Sequence, residues 1–71
     1  MGYYENMTPA ELLRLAIIGI KLVSLNADRG KNYPIAGRAE DAIDAILAFV
    51  AKTTPELTPQ AEEAVKSAIR S

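Results

Sequence analysis

Two kinds of constellation in this chain could do chemistry. The first is Arg29, Lys31, Tyr33 and Arg38, three cations and a phenol interleaved with Gly30 and Gly37. Arginine and tyrosine are enriched at the hot spots of protein-binding surfaces, and a guanidinium can meet a carboxylate or phosphate through two parallel hydrogen bonds. The same residues also suit a solvated loop whose charges merely keep a small protein dissolved. Both readings stay open. Gly30-Lys31 does not belong to a phosphate-binding loop, because the motif's upstream glycine and the Ser or Thr after its lysine are missing.

The second kind is paired carboxylates. Glu40 and Asp44 stand four apart on one helix face, and Glu62 adjoins Glu63. Such pairs can hold a hard cation or divide acid and base duties. Both pairs fall near the starts of expected helices, where the helix dipole alone favours negative charge, and neither spacing resembles a calcium loop. They read as structural, so no metal and no cofactor is expected.

Absences narrow the choice further. Cysteine, histidine and tryptophan are missing. A disulfide scaffold, a Cys/His zinc site, a thiol nucleophile and any histidine-based triad are thereby excluded. Only carboxylates, Tyr, Lys, Ser and Thr remain, with no pocket evident in so short a chain. No catalytic residues are expected, and the protein does not read as an enzyme.

The elements that must position these residues read as helices. Thr8-Pro9-Ala10-Glu11 has the form of a capping box with proline at the first helical position, and Met7 and Leu12 occupy the positions of a hydrophobic staple. This first helix runs over about 9–28 and ends where Gly30 offers a left-handed cap. Its apolar residues cover well over half the circumference, while Arg14, Lys21, Ser24 and Asp28 gather in a narrow polar stripe. A flanking helix needs an apolar stripe only about 100° wide, so a face is left over. Asn26 projects from the apolar sector one turn after Leu22. Gly19, beside Ala16, Ile20 and Val23, points to close approach by another helix.

Residues 28–37 read as an irregular loop, with the second helix starting near Pro34 or near Arg38. The steps Ile35, Ala39, Ala42, Ile46 and Phe49 favour the earlier start, giving about 34–52, with Ile43, Leu47 and Val50 widening that face. Thr54–Leu57 suits a single turn. Thr58-Pro59 repeats the cap-plus-proline start and opens a third helix over about 59–70. Its apolar face is Ala61, Ala64, Val65, Ala68 and Ile69, mostly small residues that bury little. No alternating β pattern survives, so the fold class is all-α: a small helical bundle in one domain, 1–71, with residues 1–7 a flexible N-terminus. Tyr3 and Tyr4 in that segment suit three roles: covering apolar surface, a frayed end, or partner contact.

Seventy-one residues rarely build a self-sufficient core without a staple. With thiol and imidazole staples excluded, a symmetric homodimer is expected, its interface formed by Leu12, Leu15, Ala16, Gly19, Leu22 and Val23. Charge is nearly balanced at −1 but two-ended: residues 14–38 hold five bases and one acid, 39–63 six acids and one base. The expected function is that of a small regulatory protein, inhibitor or adaptor acting by protein–protein binding through Arg29, Lys31, Tyr33 and Arg38. Stoichiometric control of this kind is what small phage or bacterial antagonists exert, an analogy from size alone. The alternative is a DNA- or RNA-binding regulator using the basic 14–38 segment, disfavoured by the acidic isoelectric point of 5.3 and by a loop too long for a helix-turn-helix. No apolar run reaches the roughly 20 residues of a membrane span, and Met1–Met7 lacks the form of a signal peptide. The cytoplasm is the expected location.

Overall fold

The computed structural model describes residues 2–70, with four α-helices and one 3₁₀ turn. Helix α1 is a single turn, Gly2–Glu5; α2 spans Pro9–Arg29 and α3 Tyr33–Thr53. The 3₁₀ turn Pro55–Leu57 leads directly into α4, Thr58–Arg70. The all-helical class and the three principal helices follow the sequence pattern closely.

Each start has a local cause. At α2 the Thr8 hydroxyl accepts from the Glu11 amide at 3.2 Å, and the Glu11 carboxylate accepts from the Thr8 amide at 2.8 Å. This closes the capping box and holds the Glu11 carboxyl below its usual value, because its ionised form receives the Thr8 N–H. Asn32 caps α3, its side-chain oxygen accepting from the Ile35 amide. Thr58 departs from expectation. It has helical dihedrals, φ −55° and ψ −45°, so it continues the preceding turn and belongs to α4 itself.

The connection between α2 and α3 is much shorter than the 28–37 loop expected. Only residues 30–32 separate the helices, and Tyr33 opens α3 ahead of Pro34. The Lys31 amide bonds to the Asp28 carbonyl at 3.0 Å and the Asn32 amide to the Ala27 carbonyl at 2.7 Å, the two bonds of a Schellman ending. The left-handed residue in it is Lys31, with φ 61°, and not Gly30, whose φ is −82°. The expected glycine cap is therefore displaced by one position.

Helices α2 and α3 form an antiparallel hairpin. Its turn-proximal half joins Lys21 and Ser24 to Glu40, and at its open end Leu12 and Ala16 face Ile46, Phe49 and Thr53. Helix α4 packs chiefly on α2. Ala61 and Ala64 lie fully buried against Ile17, with Leu13, Ile18, Ile46, Leu47 and Val65 around them. Small side chains let α4 approach closely, so a helix expected to bury little supplies the centre of the core. Ile17 is the one large side chain, among the described residues, that is fully buried.

Two faces are rotated from their expected orientations. On α3 the buried residues are Ala39, Ile43 and Val50, while Ile35 and Phe49 are left 48% and 63% exposed. On α2 the polar stripe turns inward. Ser24 is buried, Lys21 is half-buried, and Arg14 donates to Ser67 of α4 at 2.9 Å.

Candidate interaction surfaces

With its polar stripe turned inward, α2 presents an apolar face to the outside. Leu12, Leu15, Leu22 and Val23 are 39%, 48%, 38% and 51% exposed, and Ala16, Gly19 and Asn26 are exposed among them. A Cβ added to Gly19 would meet no packed atom within 4 Å. No helix of the same chain crosses at this glycine, so the close approach expected there is not made within the chain. All six residues expected at a dimer interface thus share one uncovered face.

The inward stripe explains how the helix tolerates this inversion. The Lys21 ammonium and the Ser24 hydroxyl both donate to one Glu40 carboxylate oxygen, at 2.8 and 2.7 Å. These donors hold the Glu40 carboxyl below its ordinary value, the Lys21 bond first and the Ser24 bond second. No buried side-chain polar atom among the described residues lacks a partner. Glu40 is therefore committed to the hairpin and not to a site with Asp44. Glu63 pairs with Arg70 at 2.6 Å, which lowers its carboxyl likewise. Among the described residues no three carboxylates come close enough to hold a metal ion.

The turn of the hairpin carries the other candidate surface. Arg29 ends α2, Lys31 occupies the left-handed position, and Tyr33, 61% exposed, opens α3. These three lie together at one end of the hairpin. Arg38 does not join them closely: it stands five residues beyond Tyr33, roughly 140° around the helix. It belongs instead to the outer side of α3 with Ile35. All four side chains are exposed, and the ion pairs found among the described residues involve none of them.

Sequence reasoning missed one further feature. An open apolar groove of about 590 Å³ runs between the start of α2 and the end of α3, lined by Leu12, Ala16, Ile46, Phe49, Thr53 and Leu57. Leu12 and Ala16 make it continuous with the exposed α2 face. The signal was present in the spacing: Ile35 and Phe49 lie off the stripe formed by Ala39, Ile43 and Val50. At the N-terminus, the rings of Tyr3 and Tyr4 meet edge to face, 5.1 Å between centroids, and both remain largely exposed.

No helix among the described residues is long and apolar enough to cross a membrane. No protein-family model matches the chain, and no curated protein or solved structure matches it.

Proposed function

We propose that this chain is a non-catalytic protein-binding module of the regulatory, inhibitor or adaptor kind, working in the cytoplasm as a homodimer. The observation that carries the reading is the uncovered α2 face, seven exposed positions without a charge among them. Contiguous apolar surface of this kind marks an interaction site. Its accessible area supports the reading: 5,027 Å² exceeds by about 700 Å² the roughly 4,300 Å² usual for a folded monomer of 7.7 kDa. That excess is comparable to the ~800 Å² each partner contributes to a standard interface.

In this reading α2 pairs with α2 of a second copy, through Leu12, Leu15, Ala16, Gly19, Leu22 and Val23. The hairpin turn stays outside the pair. Arg29, Lys31 and Tyr33, with Arg38 nearby, then form the contact for a partner protein bearing carboxylates. Two guanidiniums beside a phenol supply bidentate pairing and an apolar plate together.

Sedimentation equilibrium at several concentrations, with far-UV circular dichroism on the same samples, tests the pairing. The parent is expected to remain dimeric into the low micromolar range, and Leu15→Glu to sediment as a monomer with unchanged helix content. A monomeric parent overturns the homodimer. For the turn, affinity capture with the parent is compared with capture by Tyr33→Ala and Arg29→Ala. A partner retained by folded variants as well as by the parent overturns this assignment.

A second reading, nucleic-acid binding, gains from one observation. The α2–α3 turn has three residues, which is within the range of a helix-turn-helix. Against it, the two helices lie alongside each other for most of their length and do not cross steeply. Binding that weakens steeply with added salt would favour this alternative.

A further inference from the structure

We infer that the second copy on the α2 face lies antiparallel, with the two helices crossing at Gly19; this rests on the homodimer reading above. The spacing of the exposed residues is the first support. Leu12 and Asn26 stand seven positions either side of Gly19, Leu15 and Val23 four, and Ala16 and Leu22 three. At about 100° per residue the seven span roughly 120° of circumference, and Gly19 again falls in the middle. A stripe centred on one residue in both directions is self-complementary under a two-fold axis through that residue.

The flanks then match. Leu15, Leu22 and Asn26 lie on one side of Gly19, with Leu12, Ala16 and Val23 on the other. A two-fold perpendicular to the helices sets each flank against the same flank of the second copy, with the levels inverted. Leu15 meets Leu22 of the second copy, and Ala16 meets Val23 of the second copy, one residue apart in level. Gly19 carries no side chain at the crossing point, and the space beyond it is open. The helix axes can therefore approach closely there.

Charge selects the direction. Glu11 and Arg29 lie on the Leu15 flank at opposite ends of the stripe, both exposed. In the antiparallel pair Glu11 comes within two residues' rise, about 3 Å, of the level of Arg29 of the second copy. This ion pair forms twice, once at each end. A parallel pair instead sets the acidic starts of α2 at one level and the basic ends at the other. The dipoles of two 21-residue helices also oppose favourably only when antiparallel.

The absence of cysteine makes the test clean. Leu12→Cys and Asn26→Cys chains are prepared separately, checked by circular dichroism, and oxidised alone and as an equimolar mixture. Positions 12 and 26 lie about 21 Å apart along one helix, far beyond the ~7 Å that a disulfide spans between Cα atoms. The mixture is expected to double in mass on a denaturing gel, as a disulfide between unlike chains, while each variant alone stays at single-chain mass. Leu15→Cys with Leu22→Cys provides a second pair should Leu12→Cys weaken association. Self-linking of Leu12→Cys alone would overturn the antiparallel direction and leave the homodimer standing. A dimeric parent whose mixtures do not link would place the interface on another face. A parent that sediments as a monomer at all concentrations would remove the homodimer and this geometry together.

Discussion

Exchanging the chemistry of two adjacent residues, Gly30 and Lys31, gives the sharpest test of the hairpin turn. Lys31 sits at φ 61°, where an L side chain's Cβ crowds the carbonyl, at roughly 1–2 kcal/mol. Lys31→Gly removes that crowding and adds about 0.5–1 kcal/mol of backbone entropy cost. The net expectation is a gain near 0.5–1 kcal/mol, which in a chain of this size raises Tm by roughly 2–8 °C. Gly30 occupies φ −82°, and a Cβ there would meet the Asn26 and Ala27 carbonyl oxygens at 3.5 and 3.8 Å, ordinary contact distances. Gly30→Ala is therefore expected to stabilise by about 0.4–1 kcal/mol, by restricting the unfolded chain. Thermal unfolding followed by circular dichroism reads both, at one fixed protein concentration because association shifts Tm. A fall in Tm for Gly30→Ala with no gain for Lys31→Gly would assign the left-handed position to the glycine and refute the turn as described. A rise in Tm for Lys31→Gly together with weaker partner capture would show that the strained residue serves the surface.

Three further outcomes follow from the packing. Because Glu40 is held below its usual carboxyl value, its contribution is present above the unfolded value of about 4.5 and is lost as pH falls through the folded value. Urea midpoints between pH 7 and 3 should fall on acidification, with a shallower slope in Glu40→Gln; an unchanged slope would remove Glu40 from the linkage. Ile17→Ala empties the centre of the core at about 2–5 kcal/mol, comparable to the whole stability of so small a domain. Its circular dichroism should report a largely unfolded chain at room temperature, and a parental melt would contradict the core assignment. Gly37 lies exposed inside α3 with no packed atom within 4 Å of an added Cβ, so Gly37→Ala should raise the urea midpoint by the equivalent of ~1 kcal/mol.

What could be read from the sequence depended on how local its cause was. The α2 start was legible because all its determinants lie within Thr8–Glu11, and the structure contains both reciprocal bonds. Thr58-Pro59 carries the same letters, yet the preceding 3₁₀ turn delivers Thr58 already in helical geometry, where its side chain has no capping role. The end of α2 was misplaced by one residue because glycine marks the usual left-handed position. Here the bonds from Lys31 and Asn32 fix that conformation on the lysine. The loop was overestimated for the same reason: Asn32, an ordinary cap, was overlooked beside Gly30 and Pro34.

Helix faces were harder, since composition reports how much of a helix is apolar and not which side meets a neighbour. Arg14, Lys21 and Ser24 formed a recognisable stripe, but their partners Ser67 and Glu40 are 16 to 53 positions away in the chain. Only the tertiary arrangement shows that this stripe is the inner one. The six residues expected to pair with a second copy were singled out from a surplus of apolar surface, and they do share one uncovered face. The four expected to meet a partner divide into three at the turn and Arg38 on α3, because α3 begins earlier than the loop reading assumed.

The Glu40 bonds have a consequence for the alignment of the hairpin. Alanine recurs at every third position of α3 from Ala36 to Ala51. A surface so uniform offers α2 several nearly degenerate footholds, and sliding by one turn would exchange one methyl group for another at little cost. The polar atoms break that degeneracy. A one-turn slip would carry Glu40 about 5 Å away and strand the buried Ser24 hydroxyl without its acceptor, a loss of about 1–3 kcal/mol. A seam built largely on methyl groups is thus locked to one alignment by an ammonium, a hydroxyl and a single carboxylate oxygen.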